Sequence, residues 1–112
     1  ELARYVNRQS EHIPRSSIEK PPSAELRPNQ RDADTLPPYD VLDTILRGYI
    51  EENLCAREIA ARWHLPPELV RETVRRVNGA EYKRQQAAPA LKVTAKAFGM
   101  GRRYPIANKF AE

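Results

Sequence analysis

The stretch PYDVLDTILRGYI, residues 38–50, carries apolar side chains that recur every three to four positions. That period puts them on one face of an α-helix. Asp40 and Asp43 lie near the amino end, where the helix dipole favours negative charge. Gly48 weakens such a helix but need not break it. The stretch therefore predicts an amphipathic helix whose core-facing residues are Val41, Leu42, Ile45, Leu46, Tyr49 and Ile50.

Two more helices are predicted downstream of this stretch. Residues 56–63 carry apolar side chains at helical spacing, and we interpret Trp63 as a core or lid residue between two helices. A third helix begins at the proline pair 66–67, because proline suits a first helical turn, and it ends near Gly79. The sequence therefore predicts three helices that can pack on one another.

The segments on either side have a different character. Six of the ten prolines fall between residues 12 and 38, where no apolar period is sustained. Loops of that length inside compact proteins are usually functional or disordered. At the far end, residues 91–94 are expected to be briefly extended and residues 98–101 to turn. The predicted organisation is a helix over 1–10, an active-site loop over 11–37, a helical segment over 38–79 and an irregular basic tail over 80–112.

Composition limits the classes of protein that remain. The net charge is +4, and residues 81–112 hold seven basic and two acidic residues, so the tail favours anionic partners. The single cysteine, Cys55, excludes an internal disulfide and suits the cytoplasm. No apolar run approaches a membrane span, and His12 and His64 lack the spacing of metal ligands. Because Glu1 falls inside a helical pattern with no methionine before it, we expect a segment of a longer protein.

Residues 56–77 also carry the apolar spacing of a helix-turn-helix, which makes a small nucleic-acid-binding module the alternative function. Two features disfavour it. The second helix opens with prolines, where base-contacting side chains and phosphate-binding amides are needed. Glu68 and Glu72 on that helix would face phosphate, against the dominant electrostatic attraction. Two packed amphipathic helices account for the same spacing.

Two groups of motifs resemble one enzyme family. The loop reads KPPSAELRPNQ over residues 20–30 and leads into LPPYDVLD over residues 36–43. Downstream, EYKRQQAAP over residues 81–89 is followed by LKVT, FG and RRYPI. Both groups resemble the carboxy-terminal segment of NAD synthetase in its glutamine-dependent, longer form, in the same order and at plausible separation. In that family the first motif folds over the active site.

The resemblance implies a fold and an activity. The fold would be mainly α, with short helices, a long proline-rich loop and an irregular tail, at the end of a larger α/β adenine-nucleotide α-hydrolase-like domain. The enzyme would be an amide ligase that converts deamido-NAD, ATP with Mg²⁺, and ammonia from a glutaminase domain to NAD, AMP and pyrophosphate. A cytoplasmic homo-oligomer is implied. The Ser-Gly-Gly-x-Asp-Ser pyrophosphate loop of the family has no match here, so we expect the 112-residue chain alone to be inactive.

The resemblance also implies site residues. Ser23 corresponds to the hydroxyl residue of the loop that contacts ATP. Lys83, with Tyr82 beside it, corresponds to the pair that contacts deamido-NAD, although short members of the family have histidine in place of Tyr82. Lys20 and Arg84 are further candidates for loop or anion contacts. Both substrates are polyanions, so lysine and arginine donors suit them. No catalytic residue and no metal ligand are assigned to this segment.

Four further positions carry separate expectations. Glu25 is expected to hold the backbone of its own loop, with a place near Mg²⁺ as the alternative. Arg102 and Arg103 are expected either to bind an anion or to pair with acidic residues at a subunit contact. Ala90 stands where the family often has glycine, which puts the local turn in question.

Overall fold

A computed structural model describes residues 2–89, 91–96, 102 and 104–107 of the chain. The chain divides into two compact units, Glu1–Pro37 and Pro38–Glu112. Within the described residues every regular element is helical and none is a strand, so the mainly α fold class is confirmed for this part of the chain. Among the same residues, no helix combines the length and apolarity that a bilayer crossing requires.

The first unit begins with helix α1, Leu2–Val6, which is shorter than the helix predicted over 1–10. The reason is Asn7. Its side-chain oxygen accepts hydrogen bonds from the backbone N–H groups of His12 and Ile13, both at 3.0 Å, and its amide donates to the Ile13 carbonyl at 2.7 Å. These local bonds turn the chain and compete with continuation of the helix.

The loop predicted over 11–37 is not wholly irregular, which corrects the sequence-based expectation. Helix α2, Arg15–Glu19, follows Pro14, and a 3-10 turn spans Asp32–Asp34. Pro14 has φ near −54°, so its ring presets the chain for the helix that follows. The backbone N–H of Asp32 donates to the Pro22 carbonyl at 3.0 Å, which closes the proline-rich part of the loop.

The second unit contains the three predicted helices. Helix α3 spans Tyr39–Leu46, helix α4 spans Ala56–Trp63 and helix α5 spans Pro67–Gly79, which confirms the last two within a residue. Their apolar faces meet in one core, and three of its side chains are completely buried. Since burial of a side chain of this size contributes about 1.5–3 kcal/mol, these contacts dominate the stability of the unit. The core residues are Ile45, Ala56, Ile59, Ala60, Val70 and Val74.

The end of the first core helix is widened. The predicted helix runs on past Leu46, but residues Arg47–Glu51 form a π turn. Gly48 is buried within this turn, and a Cβ atom there would lie 2.9 Å from Cζ3 of Trp63. Trp63 packs against the core, as predicted. The glycine therefore lets the indole approach the helix backbone.

The tail predicted over 80–112 also needs correction, because it opens with a further helix, α6, Glu81–Gln85. Residues 91–94 form no strand, and the Leu91 and Val93 side chains are exposed. The turn predicted over 98–101, together with Ala90 and Arg103, lies outside the described residues.

Arg102 attaches the tail to the helical core. Its guanidinium lies 4.6 Å from the ring centroid of Tyr49 and 5.0 Å from that of Tyr104. It also donates to the side-chain oxygen of Asn78 at 3.2 Å, which accepts the Tyr49 hydroxyl at 3.0 Å as well. These contacts are internal, and the anion or subunit contact expected for Arg102 stays a prediction.

Candidate functional site

The proline-rich loop folds into an open concavity of about 520 Å³ within the first unit. Prolines fix φ at several positions along it, and Asn29 adopts a left-handed conformation that turns the chain. Basic side chains predominate on its lining, so the concavity suits an anionic ligand. The polar residues that line it include Lys20, Ser23, Glu25, Arg27, Gln30 and Arg31.

Ser23 lies on the lining of this concavity and is half-buried. Its hydroxyl oxygen accepts a hydrogen bond from the backbone N–H of Glu25 at 3.0 Å. A serine hydroxyl has one donor and two acceptor positions. The bond described therefore orients the oxygen and leaves the proton for a ligand oxygen.

Lys20 and Glu25 form an ion pair at 2.6 Å across the turn that contains Ser23. The hydrogen bond and the opposite charge raise the pKa of Lys20 and lower the pKa of Glu25. Glu25 was expected to hold its own loop backbone; its carboxylate instead pairs with the lysine side chain. Both side chains are exposed, so the pair contributes little stability, and a phosphate oxygen can replace the carboxylate as the partner of Lys20.

Helix α6 displays the second pair of predicted site residues. Tyr82 and Lys83 are both exposed, and the Lys83 ammonium lies 5.9 Å from the centroid of the Tyr82 ring. Among the described residues no ion pair involves Lys83, in contrast to Lys20. An exposed ammonium beside an aromatic ring can pair with phosphate or carboxylate while the ring contacts a flat base.

Arg84, a further candidate for an anion contact, is half-buried and already engaged by protein groups. It forms an ion pair with Glu81 at 2.8 Å, and its guanidinium also donates to the backbone carbonyl of Val77. Sequence reasoning did not identify Glu81, which is buried. The signal that could have found this pair is the three-residue spacing of opposite charges on one helix face.

The predicted site residues thus form two groups. Lys20 and Ser23 line one concavity in the unit Glu1–Pro37. Tyr82, Lys83 and Arg84 lie together on α6 in the unit Pro38–Glu112. The first group is set by its own turn, whereas the second is tied to α5 by the bond from Arg84 to the Val77 carbonyl.

The charged side chains of α5 form ion pairs with one another. Arg71 pairs with Glu68, and Glu72 pairs with both Arg75 and Arg76. The two arginines hold the pKa of Glu72 below its usual range. Each of the three arginines lies beside one of these two glutamates, which leaves the helix a net charge of only +1, and the nucleic-acid-binding alternative is not supported.

The Mg²⁺ implied by the resemblance needs several oxygen ligands. In the described part of the chain, no group of three His, Cys, Asp or Glu side chains could hold a metal ion. The residues present do not fit a magnesium site, and we assign no step on this segment to the ion.

The loop concavity has a mostly basic lining, and α6 exposes the Lys83 ammonium beside Tyr82. The family model for NAD synthase matches residues 1–87. The chain belongs to the NAD synthase family.

Individual relatives agree with this assignment. The chain is 53% identical over 109 residues to the glutamine-dependent NAD(+) synthetase of Aquifex aeolicus, covering 97% of this chain and 19% of the relative. It is 46% identical over 113 residues to the Thermotoga maritima enzyme of the same name, and the match covers 99% of this chain and 19% of that relative. The chain therefore spans about a fifth of the length of the curated relatives it matches.

One solved structure shares the fold. It is the glutamine-dependent NAD⁺ synthetase from Acinetobacter baumannii in complex with ADP, with a TM-score of 0.63 and 38% sequence identity. The match covers 96% of this chain and 18% of that one. That relative binds an adenine nucleotide.

Proposed function

We propose that this segment supplies substrate contacts to a glutamine-dependent NAD synthetase. The enzyme joins ammonia to deamido-NAD at the expense of ATP and releases AMP and pyrophosphate. Family membership and the names of the relatives support this assignment. The observation that carries the role of the segment is the exposed Lys83 ammonium on α6, for which the described residues provide no ion-pair partner.

The reaction explains why such contacts are needed. The nicotinate carboxylate attacks the α-phosphorus of ATP, forming an acyl adenylate and expelling pyrophosphate. Ammonia then attacks the acyl carbon, the carbon–oxygen bond to AMP breaks, and the attacking nitrogen loses one proton, which leaves the amide and AMP. Positive charge near the phosphates stabilises both steps because charge moves between oxygens in each. Water must be kept out, since it would hydrolyse the adenylate.

Lys83 is assigned to deamido-NAD. Its ammonium pairs with a phosphate or carboxylate oxygen of that substrate, and the adjacent Tyr82 ring, 5.9 Å away, contacts the ligand alongside it. This substrate carries both a carboxylate and a pyrophosphate, so one exposed ammonium has several oxygens to bind.

Ser23 is assigned to ATP. Its oxygen is oriented by the Glu25 backbone N–H at 3.0 Å, and its proton is donated to a nucleotide oxygen. Lys20 exchanges Glu25 for a phosphate when the nucleotide binds, because their solvent-exposed ion pair is easily replaced. The concavity then closes over the nucleotide and excludes water.

The remainder of the enzyme is proposed from the same relationship. The pyrophosphate loop and the glutaminase domain that releases ammonia belong to the rest of the synthetase. The protein acts in the cytoplasm as a homo-oligomer, with ATP entering as its Mg²⁺ complex.

The test is a graft in which this chain replaces the matching segment of the Aquifex aeolicus synthetase, called the grafted synthetase below. Lys83→Ala is expected to raise the KM for deamido-NAD by about tenfold, which corresponds to about 1.4 kcal/mol of lost binding. The KM for ATP should stay within about twofold, because Lys83 is not assigned to the nucleotide.

Lys92→Ala is the matched control, since it removes an exposed lysine to which no substrate contact is assigned. An unchanged KM for deamido-NAD in Lys83→Ala, with an active parent graft, would remove Lys83 from the site. Equal effects of both substitutions would show that only the total charge matters.

A further inference from the structure

Helix α6 carries an acidic side chain that is almost withdrawn from solvent. Glu81 is 5% exposed, although it lies at the first position of a helix of five residues. A carboxylate is seldom buried unless a charged partner and hydrogen bonds compensate for the loss of water. The stability of α6 in this position therefore depends on the partner of Glu81.

Arg84 is that partner, and its contacts include two of different kinds. Its Nε and one terminal nitrogen both donate to the same Glu81 oxygen, at 3.1 and 2.8 Å. The same terminal nitrogen donates to the carbonyl of Val77, which lies in the last turn of α5. Carbonyls in a last turn lack helical partners, and a cation there also matches the helix dipole. Arg84 thus joins α6 to the end of α5.

This junction is what gives α6 a fixed orientation. A helix of five residues is too short to be stable on its own, because nucleation costs more than so few hydrogen bonds return. With Glu81 and Arg84 turned inward, the residues between them are turned outward. Tyr82 and Lys83 are both exposed as a result. The direction of the Lys83 ammonium thus depends on the pair that flanks it.

We infer that Glu81 and Arg84 are positioning residues that orient Lys83 toward the anionic groups of deamido-NAD. This inference rests on the proposed function and reassigns Arg84, which was expected to contact an anion itself. The guanidinium is mostly buried, with 21% of the side chain exposed, and it is already engaged by a carboxylate and a carbonyl. It acts on the substrate through Lys83.

The test is a double-mutant cycle in the grafted synthetase. Arg84→Ala is expected to raise the KM for deamido-NAD by about fivefold, with kcat and the KM for ATP within about twofold. In a Lys83→Ala background, Arg84→Ala should raise the KM for deamido-NAD no further, because the ammonium that Arg84 positions is already absent. Thermal unfolding and circular dichroism establish that each variant is folded.

Arg75→Ala is the matched control, because it removes an exposed arginine that also pairs with a glutamate three residues before it. We expect no change in either KM. Arg84→Lys should recover part of the loss, since an ammonium can pair with Glu81 but cannot provide the planar fork of donors.

The outcomes separate the two proposals. If Lys83→Ala raises the KM and Arg84→Ala does not, the positioning role fails alone. If the two effects multiply, Arg84 contacts the substrate itself and the inference is wrong. If Lys83→Ala has no effect, the proposed function of that lysine fails, and the positioning role with it.

Glu81→Gln provides a second route should Arg84→Ala not fold. It keeps the shape of the side chain while removing the charge, so we expect a rise in KM of about twofold to threefold that disappears in the Lys83→Ala background. An unchanged KM in folded Glu81→Gln overturns the inference.

Discussion

Gly48→Ala tests the packing of the helical unit because two effects of known size oppose each other. In a helix, alanine is favoured over glycine by about 1 kcal/mol. At this position the added methyl would lie 2.9 and 3.2 Å from Cζ3 and Cη2 of Trp63 and 3.1 Å from Cγ1 of Ile59. Carbon atoms normally approach to about 3.5–4.0 Å, so the indole must move.

The steric overlap with Trp63 and Ile59 is expected to outweigh the gain in helix propensity. Forcing an extra methyl into a packed core typically costs about 1–3 kcal/mol, which exceeds the gain in helix propensity. We expect a net loss of about 1 kcal/mol in the free energy of unfolding. For a domain of this size, that loss lowers Tm by about 4–8 °C. Far-UV circular dichroism of the 112-residue chain during thermal and urea unfolding measures both quantities.

Trp63→Phe isolates the cause, because the smaller ring lacks the two indole carbons that the methyl would meet. In that background Gly48→Ala should cost about 0–0.5 kcal/mol, less than in the parent. Gly79→Ala is the control: no atom lies within 4 Å of its added Cβ, so the substitution should be neutral or slightly stabilising. A rise in Tm for Gly48→Ala, or an equal loss with and without the indole, would refute the close approach.

Three other perturbations have definite expected outcomes. Ile59→Ala removes a completely buried core side chain and should lower the free energy of unfolding by about 2–5 kcal/mol in urea titrations. Leu91→Ala changes an exposed position and should alter that free energy by less than about 0.5 kcal/mol. Glu58 accepts the Cys55 backbone N–H at 2.8 Å, which lowers the pKa of its carboxyl. The ionised Glu58 carboxylate therefore contributes its full share of the free energy of unfolding above the ordinary glutamate pKa of about 4.3, and this share is lost as pH falls through the lower pKa of the folded state. Glu58→Gln should flatten this part of the profile of stability against pH. An unchanged slope would exclude the hydrogen bond to Cys55 as a stabilising cap. His64→Gly should raise the free energy of unfolding by up to about 1 kcal/mol, since φ is 52° there and glycine has no Cβ to strain; a fall would show that the imidazole makes a stabilising contact.

Most of the helical core could be predicted because its signal is periodic and local. The apolar period and the proline pair place α4 and α5, and the contacts between their faces follow from it. The start of α3 could be predicted from the sequence in the same way. Its end could not, because the π turn after Leu46 accompanies the approach of Trp63 to Gly48, a contact between residues fifteen positions apart in the sequence.

The candidate site was predictable to a different degree in each of its parts. The motif around Ser23 and the one around Lys83 identified the family, and both residues lie where a ligand can reach them. The short helices α2 and α6 were missed because their residues show no apolar period. Tertiary contacts decide such elements: α6 depends on a bond from its arginine to a carbonyl in α5.

Periodicity and motif are properties of neighbouring residues, so the family, the three core helices and the residues proposed as substrate contacts could be derived from the sequence. The partners of the charged side chains became known only from the folded structure. Lys20 and Arg84 look equivalent as basic residues beside a motif. Lys20 pairs with an exposed glutamate that a phosphate can replace, whereas Arg84 pairs with a buried one. Burial makes the second pair a fixed part of the helix junction, because breaking it would leave a charge without water or partner.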